Sequence, residues 1–417
     1  VQLSGGSPHE KAGAMSGEKT KLVPKLRFPE FKTSADWQIK PFQKLFTIGS
    51  GRDYKHLSKG SFPVYGSGGY MLSVDDFLYD GESVCIGRKG TINNPMFVTG
   101  KFWTVDTLFY THSFQQCLPK FIYAIFQKIE WLKHNEAGGV PSLSKTIIEK
   151  IQTAVPDIPE QEKIADCLSS LDELIAAQAK KIQILKTHKK GLMQQLFPRE
   201  GETQPRLRFP EFQNSGDWVI EPIGDKVELL SGYPFDGPDI SQDCSGVPLL
   251  RGINVTEGRV RHNPEIDRYF TGSVDSLEKY MLQLNDLVIG MDGSKVGKNS
   301  ALITSIDAGA ILIQRVARLR AKSIDLIRFI FQQINSSKFH RYVDKINTSS
   351  GIPHISAKQI REFCIAFPSD LEQQRIADCL TSLDNLITAA TQELETLKTH
   401  KKGLMQQLFP SVEAVEA

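Results

Sequence analysis

Apolar residues recur at alternating spacings of four and three through 156–198: Ile164, Leu168, Leu171, Ile175, Ile182, Leu185, Leu192 and Leu196. The series returns in 368–410 as Ile376, Leu380, Leu383, Ile387, Leu394, Leu397, Leu404 and Leu408. A stripe with this 3.5-residue period is a seam that a second helix must cover along its length. Each stretch therefore predicts one long helix with a helical partner. Capping boxes are expected from Asp157 to Glu160 and from Ser369 to Glu372. Leu-Phe-Pro closes each helix, because proline cannot continue it. A helix of roughly 38 residues is about 57 Å long.

The two stretches are copies of one another. They align without a gap at an offset of 212, share 28 of 43 positions, and are identical from 186–198 to 398–410. Identity at positions off the seam implies duplication, and the natural partner of each helix is its own copy, antiparallel to it. A second repeat opens each half: PKLRFPEFKTSADWQIKPF at 24–42 and PRLRFPEFQNSGDWVIEPI at 205–223, offset by 181 with 12 of 19 positions shared. Its proline excludes a continuous helix, so an extended segment is expected, with Phe28, Phe31 and Trp37, and Phe209, Phe212 and Trp218, docked on the domain that follows.

Between these shared ends the second half is 31 residues longer, the difference between 212 and 181, and the segments 43–137 and 224–349 show little similarity. One frame thus carries two different inserts. Short apolar runs between turn residues predict strands at 62–65, 83–86, 97–98 and 104–110 in the first, and at 248–250, 287–289, 301–303 and 310–318 in the second. Helices are predicted at 120–135 and 324–345. Matching loops follow, GVPSLS at 139–144 and GIPHIS at 351–356. The fold class expected is α+β: two mixed α/β domains separated by two long helices that form an antiparallel coiled coil, with a pseudo-twofold internal repeat. The boundaries are a leader or disordered tail at 1–23, domain one at 24–155, helix one at 156–198, domain two at 199–367, helix two at 368–410 and a tail at 411–417.

Composition adds little and excludes some classes. A net charge of +2 means that any nucleic-acid surface must be a local patch. The six cysteines have no CxxC spacing, which disfavours a zinc site and suits a reducing cytoplasm; Cys167 and Cys379, equivalent on the two helices, are expected to be buried. No apolar run reaches membrane-spanning length. No catalytic constellation is expected. The run from Gly290 to Lys298 resembles a phosphate loop but has Asp292 for a required glycine and Asn299 for the magnesium-binding hydroxyl. Asp157, Glu160 and Lys163 lack a nuclease spacing, there is no Asn/Asp-Pro-Pro-aromatic methylation motif, and no metal site is expected.

The RFPEF…W openings, the VPSLS and IPHIS loops, the EQ…IADCL helix starts and the KTHKKGLMQQLFP helix ends frame both halves. In this the chain, from Met15 onward, resembles the DNA-specificity subunits of Type I restriction–modification systems. The resemblance implies two target-recognition domains, each reading one half of an asymmetric bipartite site in double-stranded DNA, and helices that act as a ruler for the spacer. It also implies assembly with two modification (methyltransferase) subunits and with restriction (motor and nuclease) subunits. Catalysis would lie in those partners, as would S-adenosylmethionine, ATP and magnesium, with no cofactor bound by this chain. A coiled-coil scaffold without DNA specificity would not need two unlike inserts, and a self-sufficient nuclease would need catalytic motifs.

Duplex DNA requires cations for phosphates and side chains that reach base edges. Candidates in the first insert are Arg52, Lys55, Lys59, Tyr65, Ser67, Arg88, Lys89 and Thr91, on glycine-rich loops that permit close backbone approach. In the second they are Arg251, Asn254, Arg259, Arg261, Lys295, Lys298 and Asn299, arginine suiting guanine and asparagine adenine. Lys189, Lys190, Gly191, Lys401, Lys402 and Gly403 are candidates for docking the modification subunits. Two of the lysines fall on the seam, and each glycine interrupts good helix at a cost of about 1 kcal/mol, which close approach of another chain would explain.

Overall fold

The structure, a computed structural model, describes residues 22–347 and 353–410. Most of the leader, the tail and the Gly351–Ile352 part of the second loop lie outside the described residues. In chain order the elements are β1 (Gln38–Pro41), β2 (Thr47–Ser50), β3 (Lys59–Gly66), β4 (Gly69–Val74), β5 (Tyr79–Asp80), β6 (Ser83–Gly87), β7 (Met96–Val98), β8 (Lys101–Thr104), β9 (Leu108–His112), α1 (Pro119–Lys128), α2 (Lys145–Lys150), β10 (Gln152–Val155) and α3 (Ile158–Leu196). The second half continues with β11 (Val219–Pro222), β12 (Val227–Ser231), β13 (Val247–Leu250), β14 (Val255–Thr256), β15 (Arg259–Val260), β16 (Arg268–Phe270), β17 (Leu287–Gly290), β18 (Ser300–Leu302), β19 (Ile311–Leu312), β20 (Val316–Ala321), α4 (Ile324–Ile334), α5 (Ser337–Ile346), α6 (Ala357–Glu362), β21 (Cys364–Phe367) and α7 (Asp370–Leu408).

The chain forms two compact units, and each long helix contributes to both. The first is Val1–Ala179 with Gln392–Ala417, and the second is Lys180–Thr391. The division between the units therefore falls within each long helix. In the first unit the start of α3 runs antiparallel to the end of α7: Asp172 faces Lys401 and Gln178 faces Glu393. In the second the end of α3 runs antiparallel to the start of α7, with Lys189 facing Asp384. Asp172 and Asp384 are 212 apart, as are Lys189 and Lys401, so the duplicated sequence makes one duplicated contact. Seam residues Ile164, Leu168 and Leu408 enter the core of the first unit, joined by Met405 from beside the seam, and Leu196, Ile376 and Leu380 enter that of the second.

The inserts share a fold that their sequences conceal. The first unit holds an antiparallel sheet ordered β2-β9-β6-β7, and the second repeats it as β12-β20-β17-β18. A second sheet also repeats its parallel pair, β3 on β8 and β13 on β19. What differs are the flanking strands: β4 and β5 in the first unit, β16 and the separate hairpin β14–β15 in the second. The extra length of the second half falls chiefly between β13 and β17. Sequence similarity is absent because a strand buried on both faces demands only apolar bulk, which SVCIG and LVIG both supply.

Several expected elements are divided. Residues 104–110 form parts of β8 and β9 with a turn between, and 310–318 likewise become β19 and β20, separated by Arg315 at φ +73°. The helix expected at 324–345 breaks because the Ser336 hydroxyl accepts the Phe339 N–H and starts α5 anew. The one expected at 120–135 ends at Lys128 and continues as a 3-10 turn, Trp131–His134. Within RFPEF only the last three residues, Pro29–Phe31 and Pro210–Phe212, turn as a 3-10 helix with proline at its first position, and Phe28 and Phe209 before them keep an extended backbone. Leu22, placed in the leader by sequence, is buried and its carbonyl accepts the Trp37 N–H at 3.0 Å. Cys167 and Cys379 are half-buried.

The glutamates expected in the capping boxes are each engaged by an arginine. Glu160 receives Arg27 through Nε at 2.8 Å and Nη2 at 2.6 Å. Glu372 receives Arg208 at 2.7 Å through both nitrogens. The openings also dock on helix ends: the Leu26 N–H donates to Gln407 O at 3.0 Å, and the Leu207 N–H to Gln195 O at 2.9 Å.

Candidate nucleic-acid interface

Four loops of the first unit meet at one end of its sheets. After β6 the chain turns through Arg88, Lys89 and Gly90. The Arg88 N–H donates to Thr107 O at 2.8 Å, the Gly90 N–H to Pro141 O at 2.9 Å, and the Leu143 N–H to Arg88 O at 2.9 Å. The VPSLS loop is thus stitched to the glycine turn, and the turn before β9 closes the third side. The tip of the β3–β4 hairpin adjoins it, since a Cβ on Gly90 would lie 3.4 Å from Ser67 Oγ. Gly90 has φ +91°, a backbone that favours glycine.

Here Ser67, Arg88, Lys89 and Thr91 come together, with the side chains of Arg88, Lys89 and Thr91 exposed. Arg52 leaves β2 close by, its N–H bonded to Thr104 O at 2.8 Å. Burial pushes the Tyr110 phenol upward, and nearby Arg52 partly opposes that shift. Tyr65 is half-buried, edge-on to Tyr70 and Phe102. Lys55 and Lys59 instead line a separate shallow concavity with Tyr70 and Met71; Tyr70, 63% exposed, is an aromatic surface that sequence reasoning passed over.

The second unit repeats the backbone of this junction with different side chains. The Met291 N–H donates to Arg315 O at 2.9 Å, the Gly293 N–H to Pro353 O at 3.1 Å, and the Ile355 N–H to Met291 O at 2.9 Å. Asp292 receives Arg315 on one oxygen and His354 Nδ1 on the other. None of these three side chains was singled out by sequence. The available signals were that GIPHIS mirrors GVPSLS and that the Gly290–Lys298 loop resembles the Gly87–Thr91 turn.

The sequence candidates of this unit divide into exposed and structural groups. Arg259 and Arg261 are exposed near the β14–β15 hairpin, and Arg261 Nη2 donates to Ile253 O at 3.2 Å. Arg251 is half-buried with Nη1 on Ile266 O at 3.3 Å. Lys295 pairs with Glu257 at 3.0 Å and Lys298 with Asp344 at 3.2 Å, which leaves less charge for phosphates. Asn254 is not available to a base. It is 2% exposed, and its amide donates to Arg261 O at 3.2 Å and Asp267 Oδ1 at 2.9 Å, holding the 251–267 excursion closed. Asn299 is half-buried, and its carbonyl accepts the Gly290 N–H at 2.8 Å. The run from Gly290 to Lys298 links antiparallel strands β17 and β18, whereas a phosphate loop leads into a helix.

Among the helix candidates, the seam lysines are committed within their own units. Lys401 Nζ lies 2.6 Å and 2.7 Å from the Asp172 oxygens and 2.8 Å from Gln127 Oε1. Lys189 Nζ lies 2.6 Å from Asp384. Neither is a free cation for a partner. Lys190 and Lys402 are exposed, and a Cβ on Gly191 or Gly403 would meet nothing within 4 Å. Among the described residues there is no cluster of potential metal ligands and no helix long and apolar enough to cross a membrane.

Duplicated α/β units with paired loop junctions on a shared helical frame define a class of modular recognition protein. The sequence profile of the Type I restriction modification DNA specificity domain matches residues 34–187 and 254–399, and the chain belongs to that family. It is 29% identical over 351 residues to the Type I restriction enzyme MjaVIII specificity subunit of Methanocaldococcus jannaschii, covering 80% of this chain and 77% of that one. Identity to the Type I restriction enzyme EcoAI specificity subunit of Escherichia coli is 26%, over 64% of this chain and 43% of that one. The crystal structure of the S subunit of a Type I restriction–modification system from M. genitalium superimposes with a TM-score of 0.65 at 15% identity, covering 94% of this chain and all of that one.

Proposed function

We propose that each unit reads one half of an asymmetric bipartite site in duplex DNA, and that the two long helices set the number of base pairs between the halves. The observation that carries this reading is the repeated loop junction: one backbone arrangement, presented twice, with unlike side chains. Arg52, Arg88, Lys89 and Thr91 are the proposed contacts of the first unit, and Arg251, Arg259, Arg261, Lys295 and Lys298 those of the second. Phosphate contacts fix register, and base contacts carry sequence.

Two modification subunits dock on this chain, and restriction subunits join them. Lys190, Gly191, Lys402 and Gly403 are the proposed docking residues, since they are open to another chain. In the second unit Gly191 borders a groove that is also lined by Lys186, Lys190, Arg199, Arg206, Lys338 and Arg341. Methyl transfer and cleavage belong to the partners, which would hold S-adenosylmethionine, ATP and magnesium. Mapping methylated adenines in host DNA with and without this gene tests the reading. Loss of one asymmetric bipartite motif is expected; an unchanged methylation pattern would refute it.

A further inference from the structure

Arg315 occupies a position that its backbone would rather give to glycine. Its φ of +73° lies in the left-handed region, which strains a residue that carries a Cβ. The fold needs only its carbonyl, which accepts the Met291 N–H, and in the first unit Thr107 supplies the same carbonyl to Arg88 at 2.8 Å. The arginine side chain therefore contributes nothing the repeated junction requires. Yet it is 68% exposed and held by Asp292, itself 21% exposed, whose other oxygen takes His354. A long side chain is thus fixed in advance, with its entropy already spent, at the rim where three loops meet.

Resting on the reading that this unit recognises DNA, we infer that Arg315 is a base-reading residue of the second half-site and that Asp292 is its positioning residue. A carboxylate alongside makes the guanidinium a poor phosphate clamp, because it repels the anion that the arginine would attract. It leaves directional N–H donors in place, and these match the O6 and N7 acceptors of guanine in the major groove. His354 Nδ1 is turned to Asp292 and the side chain is 47% exposed, which leaves Nε2 for a second polar contact. The first unit has Lys89 and Ser142 where the second has Asp292 and His354. The same junction would consequently read a different base there.

The test uses the complete chain assembled with its modification subunits and a panel of duplexes in which each base pair of the mapped motif is replaced in turn. Arg315→Gly relieves the backbone strain and removes the side chain; Arg315→Lys keeps charge without the planar fork. Both should lose preference at one base pair of the second half-site by about 5- to 150-fold, the worth of one bidentate base contact. Preferences elsewhere and the salt dependence should be unchanged. Asp292→Asn should relax the same base pair, and adding it to Arg315→Gly should change nothing more. Retention of every preference by both Arg315 variants, or equal weakening on all duplexes, would overturn the inference while the DNA-reading function stood. A wild-type complex with no base preference anywhere would overturn both.

Discussion

The Arg27 guanidinium grips the Glu160 carboxylate with two nitrogens, and both side chains are less than a tenth exposed. Arg27 also donates to the carbonyls of Ser34 at 3.0 Å and Ala35 at 2.9 Å. Arg208 repeats the arrangement on Glu372, Ser215 and Gly216. The arginines belong to the repeat offset by 181 and the glutamates to the repeat offset by 212. One ion pair in each unit therefore ties the opening segment to the start of a long helix. Removing one partner of a buried pair strands a charge, at a typical cost of about 3–5 kcal/mol. Arg27→Ala should destabilise the first unit by that order in denaturant titrations, and Arg208→Ala the second. The double change Arg27→Met with Glu160→Met should cost much less. Equal losses for single and double variants would show that the clamp is not the cause.

Gly51 and Gly232 leave β2 and β12 against backbone. A Cβ on Gly51 would lie 1.9 Å from Val105 O, and one on Gly232 would lie 2.0 Å from Ile313 O. Alanine at either should destabilise its own unit by roughly 1–3 kcal/mol or more, as overpacking does. Gly191→Ala, with nothing within 4 Å, should leave the melting temperature unchanged or slightly raised. Hydrogen exchange resolved by peptide would show whether the loss stays in the affected unit.

Burial holds the His340 imidazole below its ordinary 6.5, with Lys298 adding to the effect, and Nε2 has no hydrogen-bond partner among the described residues. His112 in the first unit is likewise lowered, by burial and then by Lys145. Each folded state binds its proton less readily than the unfolded chain. Their contribution to stability is therefore complete above about pH 6.5 and is lost as the pH falls below it. Stability measured from pH 7.5 to 5 should decline, and His340→Leu should flatten the slope for the second unit. An unchanged slope in that variant would assign the decline to other groups.

Bulky residues at the two open helix glycines test the docking surface. Gly191→Trp with Gly403→Trp should leave the folded chain intact while lowering the affinity for modification subunits by tenfold or more. Lys189→Ala and Lys401→Ala should act in the opposite sense, lowering stability first, because Asp384 and Asp172 lose their paired cations. Size-exclusion chromatography and melting curves on the same variants separate the two effects.

The helices can be shortened in register. Deleting seven residues from both α3 and α7 preserves the seam and removes about 10 Å from each. The methylated motif should then keep both half-sites with a shorter spacer, or be lost. An unchanged spacer would show that helix length does not set it.

The sequence by itself determined the frame. A 3.5-residue apolar period and two offsets were enough to give paired antiparallel helices and a duplicated α+β chain, because helix seams and repeats are periodic along the chain and need no knowledge of distant contacts. It also gave the loops on which charge is exposed. Tertiary structure decided the rest. Only folding brings Arg27 to Glu160 and encloses Lys401 between Asp172 and Gln127. Only folding shows that Asn254 is a strut and that Arg315, unremarkable in its sequence, stands in a glycine conformation beside Asp292. The inserts' common sheets were invisible because buried strands constrain apolar character and little else, whereas their register and neighbours are fixed by contacts between residues far apart in the chain.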